Sequence, residues 1–228
     1  MTVLHVFDMD GTLLRGSSAS LQIGVATGTV TQVAALEAAF VAGQIDTVGF
    51  ARGVRELWRS LTLDIVATIY AGSPWLSGIR EVCADIRSRG ERSAVITMSP
   101  DFFARLLLDE GVDEVVASRF PAPPFSAPVD PAGILAPADK VRIVDSLLVR
   151  HGVPRSRCVA YGDSLSDAPL FTYLGTANTV AVNADAHLAH LAGVAYAGDD
   201  LLGAYAMGRA LIDRTPLTPP PSGRPPVR

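Results

Sequence analysis

Short apolar runs alternate with helical patterns over most of this 228-residue chain. The first run, at residues 3–7, is rich in β-branched and aromatic side chains. A continuous apolar run of this length is typical of a strand that is buried on both faces of a parallel sheet. Comparable runs follow at residues 93–97, 115–117, 158–161 and 179–182.

Helical periodicity separates these runs. Apolar residues recur at three- and four-residue spacing in four segments, at 79–89, 137–151, 166–174 and 186–191. Strands that alternate with helices predict an α/β fold with a doubly wound parallel sheet. Ser99 and Pro100 have the residue types of an N-cap and a first helical residue, so we expect a further helix to begin there.

One long segment interrupts this alternation directly after the first strand. From residue 17 to residue 71 the pattern is helical, and no strand-like alternation appears. We therefore expect a small all-helical cap domain at residues 16–78, inserted into a catalytic core formed by residues 1–15 and 79–213. The final segment, residues 214–228, contains six prolines without periodicity, which predicts a disordered tail.

Composition narrows the class of protein. About half of the residues are hydrophobic (49%) and 18% are charged, so the chain can bury a sizeable core. The formal net charge of −4, without a basic stripe, argues against nucleic-acid binding. Cys83 and Cys158 lack metal-ligand spacing, and we expect both thiols to be free. The run at residues 3–7 is too short for a signal peptide or a membrane span, which favours a soluble cytoplasmic protein.

Polar side chains stand where three of the predicted strands end. Asp8 and Asp10 follow the first strand, Thr97 ends the second, and Asp163 follows the strand at 158–161. Because the carboxyl ends of parallel strands form the ligand-binding edge of such sheets, we expect these side chains to lie close together. Several carboxylates that lie close together repel one another unless a cation neutralises their charge. Hard oxygen ligands of this kind suit Mg²⁺. Together with Lys140, at the start of a helix between the strands, this arrangement predicts a receptor for phosphate.

Four short segments carry a resemblance to a known family. Residues 7–13 read FDMDGTL, residues 95–97 read VIT, Lys140 follows, and residues 162–167 read GDSLSD. In this order they resemble the four signatures of the haloacid dehalogenase-like (HAD) phosphohydrolase superfamily. The resemblance covers about residues 2–200, and it implies a Rossmann-like catalytic core.

The resemblance also implies a mechanism. Members of this superfamily with these signatures are Mg²⁺-dependent phosphatases that form an aspartyl phosphate. Asp8 is then the implied nucleophile, and Asp10 the implied acid that protonates the leaving group and later activates water. Thr97 and Lys140 are implied to hold the phosphoryl oxygens.

The implied metal ligands come from two of the four segments. Asp8, the backbone carbonyl of Asp10, and Asp163 are expected to bind Mg²⁺, while Asp167 is expected to orient Lys140 or a water. The implied partner is a small-molecule phosphate monoester. Nucleic acid and membrane are not expected as partners.

Other interpretations of these segments stay open. A simple turn explains DxDG after a strand when that motif is taken alone. A phosphotransferase or mutase would use the same four segments with an acceptor in place of water. A non-catalytic binding protein on the same fold is a further alternative, which the complete set of acidic residues and Lys140 disfavours.

The helical segment after the first signature stands where the phosphoserine-phosphatase-like branch has its helical cap. A cap contributes specificity, so we expect substrate choice to depend on residues 15–78. In that branch a glutamate nine residues after the nucleophile pairs with the substrate amine, and here this position is Ser17. Arg55 corresponds to the branch's arginine that meets the substrate carboxylate. Arg15, Ser17 and Arg55 are the predicted specificity residues, and a neutral or carboxylated ester is favoured over L-phosphoserine.

Overall fold

A six-stranded parallel sheet forms the centre of the structure, a computed structural model that describes residues 2–214. Chain order and spatial order differ, as in other doubly wound sheets. The strands, from one edge of the sheet to the other, are β5 (Glu114–Ser118), β4 (Arg92–Pro100), β1 (Leu4–Phe7), β6 (Cys158–Gly162), β7 (Thr179–Val182) and β8 (Val194–Tyr196).

Strand β1 lies at the point where the strand order reverses. Its first residue, Leu4, pairs with Arg92 of β4 on one side and with Cys158 of β6 on the other, in parallel register. All four residues of β1 are buried, which explains why the sequence shows a continuous apolar run there. The register brings the carboxyl ends of β4, β1 and β6 together at one edge of the sheet.

Helices cover both faces of this sheet. Helices α5 (Ile79–Ser88) and α10 (Leu201–Asp213) pack on one face, in a cluster that includes Val95 of β4. Helices α7 (Asp139–His151) and α8 (Ala168–Leu174) pack on the other face, against Ala94 and Ile96. Successive residues of one strand thus pack into the apolar clusters on opposite faces of the sheet. The predicted α/β fold with a doubly wound parallel sheet is confirmed.

Four helices lie between the first strand and α5. They follow a short pair of strands, β2 (Asp10–Gly11) and β3 (Leu14–Arg15). The helices are α1 (Ala19–Thr27), α2 (Val30–Val41), α3 (Thr47–Leu57) and α4 (Leu63–Ala71). Trp58, at the end of α3, is fully buried in the same apolar cluster as Phe7 of the central sheet. These inserted helices therefore share a core with the sheet, and the division of the chain into cap and core domains stays a prediction.

Two local expectations differ from the structure. Ser99 is not an N-cap: it lies in β4, and Pro100 is the N-cap of the four-residue helix α6 (Asp101–Ala104). The Ser99 hydroxyl instead donates a hydrogen bond to the Asp10 carboxylate, and a hydrogen bond to a charged acceptor is stronger than the one that a cap serine accepts from a backbone N–H. Strand β8 and helix α10 are additions that the apolar pattern did not predict.

Several smaller features complete the described chain. Helix α9 (Ala186–Ala189) follows β7. Both cysteines, Cys83 and Cys158, are free and buried, as predicted. Within residues 2–214, every helix is too short or too polar to reach across a lipid bilayer. The predicted disordered tail lies, from residue 215 onward, outside the described residues.

Candidate active site

Lys140 bridges two buried aspartates at the reversal point of the sheet. It stands in the first turn of α7, and its Nζ donates to Asp8 Oδ1 at 2.8 Å and to Asp167 Oδ1 at 2.6 Å. The lysine side chain is 2% exposed. Burial lowers the pKa of Lys140, but the two carboxylates outweigh this effect and hold its pKa above the ordinary value. The ammonium group is therefore charged at neutral pH.

Asp8 follows β1 directly, and the sheet register determines where its side chain lies. Its backbone N–H donates to the Tyr161 carbonyl at 2.9 Å, which extends the pairing of β1 with β6 by one residue. Burial, followed by the charge of Asp167, raises the pKa of Asp8, and Lys140 only partly opposes them. The site holds more negative charge than its single lysine neutralises, so it favours a further cation.

The Asp10 carboxylate accepts hydrogen bonds from three directions. The backbone N–H of Ala19, the first residue of α1, donates to Oδ1 at 2.7 Å. The hydroxyls of Ser99 and Thr97 donate to Oδ2 at 2.6 and 3.4 Å. Burial raises the pKa of Asp10, although these hydrogen bonds oppose the effect. A carboxyl group with a raised pKa, held in one orientation, is suited to donate a proton near neutral pH.

Asp8, Asp163 and Asp167 form an acidic cluster that fits a hard divalent cation. One carboxylate oxygen of each lies within 4.8 Å of the others. Burial, followed by the charge of Asp167, raises the pKa of Asp163 to about 7. Asp167 is already engaged through both oxygens, because Oδ1 accepts from Lys140 and Oδ2 accepts from the Asp163 backbone N–H at 3.1 Å. Asp8 and Asp163 are thus the carboxylates that could hold a hard divalent cation, which prefers such oxygen ligands.

Two glycines allow the carboxylates to approach the backbone this closely. Gly11 has a φ of +76°, and a Cβ there would lie 2.0 Å from Asp163 Oδ2. A Cβ on Gly162 would lie 2.4 Å from Asp167 Oδ2. Any other residue at either position would displace an aspartate, which gives a physical reason for the glycines in the FDMDGTL and GDSLSD segments.

A cavity of about 270 Å³ opens above these residues, between the sheet edge and the inserted helices. The aspartates Asp8 and Asp10 and the strand-end residue Thr97 form its polar floor. The remaining lining residues come from both parts of the chain, and they are Ser18, Ser20, Glu37, Phe40, Val41, Thr47, Phe50, Ala51, Met98, Ser99, Pro100, Phe120, Ser164 and Ser166.

The structure gathers six of the predicted site residues around the floor of this cavity. They are Asp8, Asp10, Thr97, Lys140, Asp163 and Asp167, and hydrogen bonds link them into two connected groups. Their predicted chemical roles stay predictions, because position alone does not test a role.

The three predicted specificity residues lie elsewhere. Arg15 is half exposed and pairs with Asp199. Arg55 Nη2 donates to the carbonyls of Phe125 and Ala127, at 3.3 and 3.0 Å. Neither arginine lines the cavity, and Ser17 does not line it either. Both guanidinium groups are engaged by partners outside the cavity, and the specificity roles of the three residues stay predictions.

Sequence reasoning missed a carboxylate in the cavity wall. Glu37 extends from α2, and its Oε1 accepts a hydrogen bond from the Ser18 hydroxyl at 2.6 Å. Burial raises the pKa of Glu37, and the hydrogen bond from Ser18 opposes the effect. Residues three and four apart lie on one face of a helix. The spacing of Glu37 to Phe40 and Val41 was therefore the available indication that these three side chains face the same cavity. The absence of a glutamate at Ser17 therefore does not leave the cavity wall without a carboxylate.

Fold and site together define the class of this chain: a doubly wound α/β protein with an acidic, lysine-bridged site at its reversal point. A family model described as haloacid dehalogenase-like hydrolase matches residues 5–172. The chain belongs to this family.

Similar proteins agree with this assignment. Phosphoserine phosphatase SerB1 of Mycobacterium tuberculosis is 30% identical over 224 residues, which cover 84% of this chain and 68% of that protein. A substrate-bound phosphoserine phosphatase complex matches with a TM-score of 0.73 at 19% identity, covering 91% of this chain and 98% of that one. A phospho-aspartyl intermediate analogue of phosphoserine phosphatase matches with a TM-score of 0.75 at 20% identity, covering 90% and 98%.

These findings confirm two predictions from the sequence. The resemblance to the HAD superfamily and its phosphoserine-phosphatase-like branch is confirmed by the family match and the similar proteins. The predicted enzyme class, a phosphoric monoester hydrolase of the HAD type, is confirmed as well.

Proposed function

We propose that this chain is an Mg²⁺-dependent phosphatase that hydrolyses a small-molecule phosphate monoester through a phosphorylated Asp8. The observation that carries the proposal is the Lys140 bridge between Asp8 and Asp167, beside an Asp10 carboxyl group that faces the same cavity. The similar proteins named phosphoserine phosphatase support the reaction class.

Asp8 is the proposed nucleophile. One carboxylate oxygen attacks phosphorus, a P–O bond forms, and the P–O bond to the leaving group breaks. The ammonium group of Lys140 holds Asp8 Oδ1 at 2.8 Å and orients the carboxylate toward the cavity. Splitting the displacement into phosphoryl transfer and hydrolysis replaces one difficult step by two easier ones.

Asp10 is the proposed acid and base. In the first step its carboxyl proton passes to the leaving oxygen, which departs as an alcohol. In the second step the carboxylate accepts a proton from water as that water attacks phosphorus and releases Asp8. The raised pKa of Asp10 supports the first role, and its three hydrogen bonds keep the group in place for both.

Mg²⁺ fits the carboxylates of Asp8 and Asp163, and the backbone carbonyl of Asp10 is the proposed third protein ligand. When bound, the ion would offset the negative charge that accumulates between the aspartates and the phosphoryl group. Thr97 and Lys140 are the proposed contacts of the phosphoryl oxygens. Asp167 keeps Lys140 in position through a 2.6 Å hydrogen bond.

The direct test is phosphate release from a panel of phosphate monoesters, with Mg²⁺ and then with EDTA. We expect release that EDTA abolishes. Asp8→Asn should lower kcat by about a thousandfold or more while the fold is kept. Asp109→Asn, a change of the same kind on an exposed aspartate, is the matched control.

Two results would contradict the proposal. Phosphate release by the Asp8→Asn variant at a near-native rate would exclude the covalent mechanism. Release of the first alcohol without inorganic phosphate, occurring only when a second alcohol is added and becomes phosphorylated, would replace the hydrolase with a phosphotransferase.

A further inference from the structure

The wall of the cavity above the aspartates is mostly apolar. Helices α2 and α3 contribute Phe40 and Phe50, whose ring centroids lie 6.3 Å apart. The core contributes Met98, Pro100 and Phe120. A leaving group that reaches past the phosphate site therefore contacts apolar side chains on both sides. Burial of its own apolar surface there favours binding.

One charged side chain stands in this wall. Glu37 is half-buried, and it projects from α2 on the same side as Phe40. Its Oε1 accepts from Ser18, while Oε2 accepts no hydrogen bond from any residue within 2–214. A carboxylate oxygen that faces a largely apolar cavity gains stability when a ligand N–H or O–H reaches it.

Basic groups are missing from this wall. Among the lining residues that belong to the described part of the chain there is no lysine, arginine or histidine. Arg55 donates to the Phe125 and Ala127 carbonyls, and Arg15 pairs with Asp199. A carboxylate on the leaving group would be desolvated next to Glu37 without a cationic partner, which is unfavourable.

We propose that the leaving group of the substrate has an apolar body, carries one hydrogen-bond donor for Glu37, and bears no carboxylate. This inference rests on the proposed phosphatase function and specifies its substrate class. Glu37 is then a specificity-determining residue, and the donor is an ammonium or a hydroxyl group.

Four phosphate monoesters separate the parts of this inference. Three share an apolar body: 2-amino-4-methylpentyl, 2-hydroxy-4-methylpentyl and 4-methylpentyl phosphate. The fourth, L-phosphoserine, has an amine and a carboxylate but no apolar body. Values of kcat/KM with Mg²⁺ are measured for the wild-type chain, for Glu37→Gln, and for Glu81→Gln as a control at an exposed glutamate outside the cavity.

We expect the wild-type chain to prefer an ester with a donor over 4-methylpentyl phosphate, and to act on L-phosphoserine least. A hydrogen bond to a charged group corresponds to about 10- to 100-fold in kcat/KM. Glu37→Gln should therefore lower the preference for the donor by about that factor, more steeply for the amino ester than for the hydroxy ester if the donor is cationic. Glu81→Gln should leave the preference unchanged.

The outcomes distinguish this inference from the proposed function. If all four esters release phosphate and Glu37→Gln leaves their ratios unchanged, the role of Glu37 is excluded while the phosphatase stands. A similar fall for all esters would show a structural role for Glu37 and also overturn the inference. Faster turnover of L-phosphoserine than of the apolar esters would contradict the absence of a carboxylate. If no ester releases phosphate, the proposed function itself fails.

Discussion

The hydroxyl of Ser99 lies 2.6 Å from Oδ2 of Asp10, and this hydrogen bond holds the pKa of the carboxyl group below the level that burial alone would produce. Ser99 reaches Asp10 because β4 continues through Pro100 instead of ending at Thr97. A strand that runs three residues past Thr97 thus places a second hydroxyl at the proposed acid.

Replacing Ser99 should shift the pH profile. In Ser99→Ala the pKa of Asp10 rises further, because a hydrogen bond to the charged form is lost. In the proposed mechanism, formation of the aspartyl phosphate needs the protonated acid, so the alkaline limb of kcat/KM should move to higher pH. Steady-state rates between pH 5 and 9 check this, with Ser146→Ala as the exposed control. An alkaline limb that stays in place would remove Asp10 as the proton donor.

Removing the ammonium group of Lys140 should destabilise the fold in a pH-dependent way. Lys140→Gln leaves Asp8 and Asp167 buried without their cation, and breaking a buried pair costs about 3–5 kcal/mol. Burial already raises the pKa of Asp8 in the folded state, and loss of the Lys140 charge removes the effect that opposes this rise. Such a group favours the folded state at low pH, and this contribution is lost as the pH rises through the folded pKa.

Urea unfolding of Lys140→Gln at pH 5 and pH 8 measures this effect. The free energy of unfolding, relative to the wild-type chain, should fall more at pH 8 than at pH 5. An equal loss at both pH values would mean that Asp8 is not a group whose charge Lys140 neutralises.

Mg²⁺ binding should weaken below neutral pH. The pKa of Asp163 is raised to about 7, so protons compete with the ion for this carboxylate. The apparent Kd should increase about tenfold for each pH unit below that value, if one proton is displaced. Calorimetric titration at pH 8, 7 and 6 measures the trend, and Asp163→Asn should abolish it together with most of the affinity. A Kd independent of pH would exclude Asp163 as the titrating ligand.

The same raised pKa predicts how the metal-free chain responds to pH. Asp163 contributes stability below the unfolded pKa, and this contribution is lost as the pH rises through about 7. Added Mg²⁺ should therefore raise the Tm more at pH 8 than at pH 6. A larger rise at pH 6 would contradict the assignment.

Arg55 should stabilise the packing of the loop that follows Phe120 against α3. Its guanidinium donates to two carbonyls of that loop, those of Phe125 and Ala127. In Arg55→Ala, proteolysis within residues 121–130 should become several-fold faster, because these two hydrogen bonds are lost. Arg52→Ala, on the exposed side of α3, is the control.

The alternative role of Arg55, as a receptor for a substrate carboxylate, makes a different prediction. It requires that Arg55→Ala lowers kcat/KM for L-phosphoserine more than for an ester without a carboxylate. A selective loss of this kind would confirm the role expected from the sequence.

The sequence predicted the sheet and the polar edge because both depend on short-range patterns. Buried strands need continuous apolar runs, and parallel strands bring their carboxyl ends to one edge, so Asp8, Thr97 and Asp163 were expected to meet. Helix α10 was missed although Leu201, Ala204 and Tyr205 have helical spacing and Asp200 caps them. That helix is rich in glycine and alanine, which weakens the apolar contrast on which the pattern depends.

The cavity wall could not be predicted in the same way. Which face of α2 turns toward the aspartates depends on how the inserted helices pack, and Ser18 and Glu37 meet across 19 residues of sequence. The partners of Arg55 depend on packing in the same way, because its guanidinium donates to carbonyls of a loop some 70 residues away in the sequence. Tertiary packing, not residue type, determined both outcomes.

The hydrogen bond from the Ala19 backbone N–H to Asp10 connects the first residue of α1 to the carboxyl group of the proposed acid. Any displacement of the start of α1 that lengthens this 2.7 Å contact removes a donor from the carboxylate and strengthens its hold on a proton. The acid strength of Asp10 therefore reports the position of the inserted helices. A substitution that shifts the start of α1 should therefore change the rate of the proposed proton transfer even though it lies outside the carboxylate cluster.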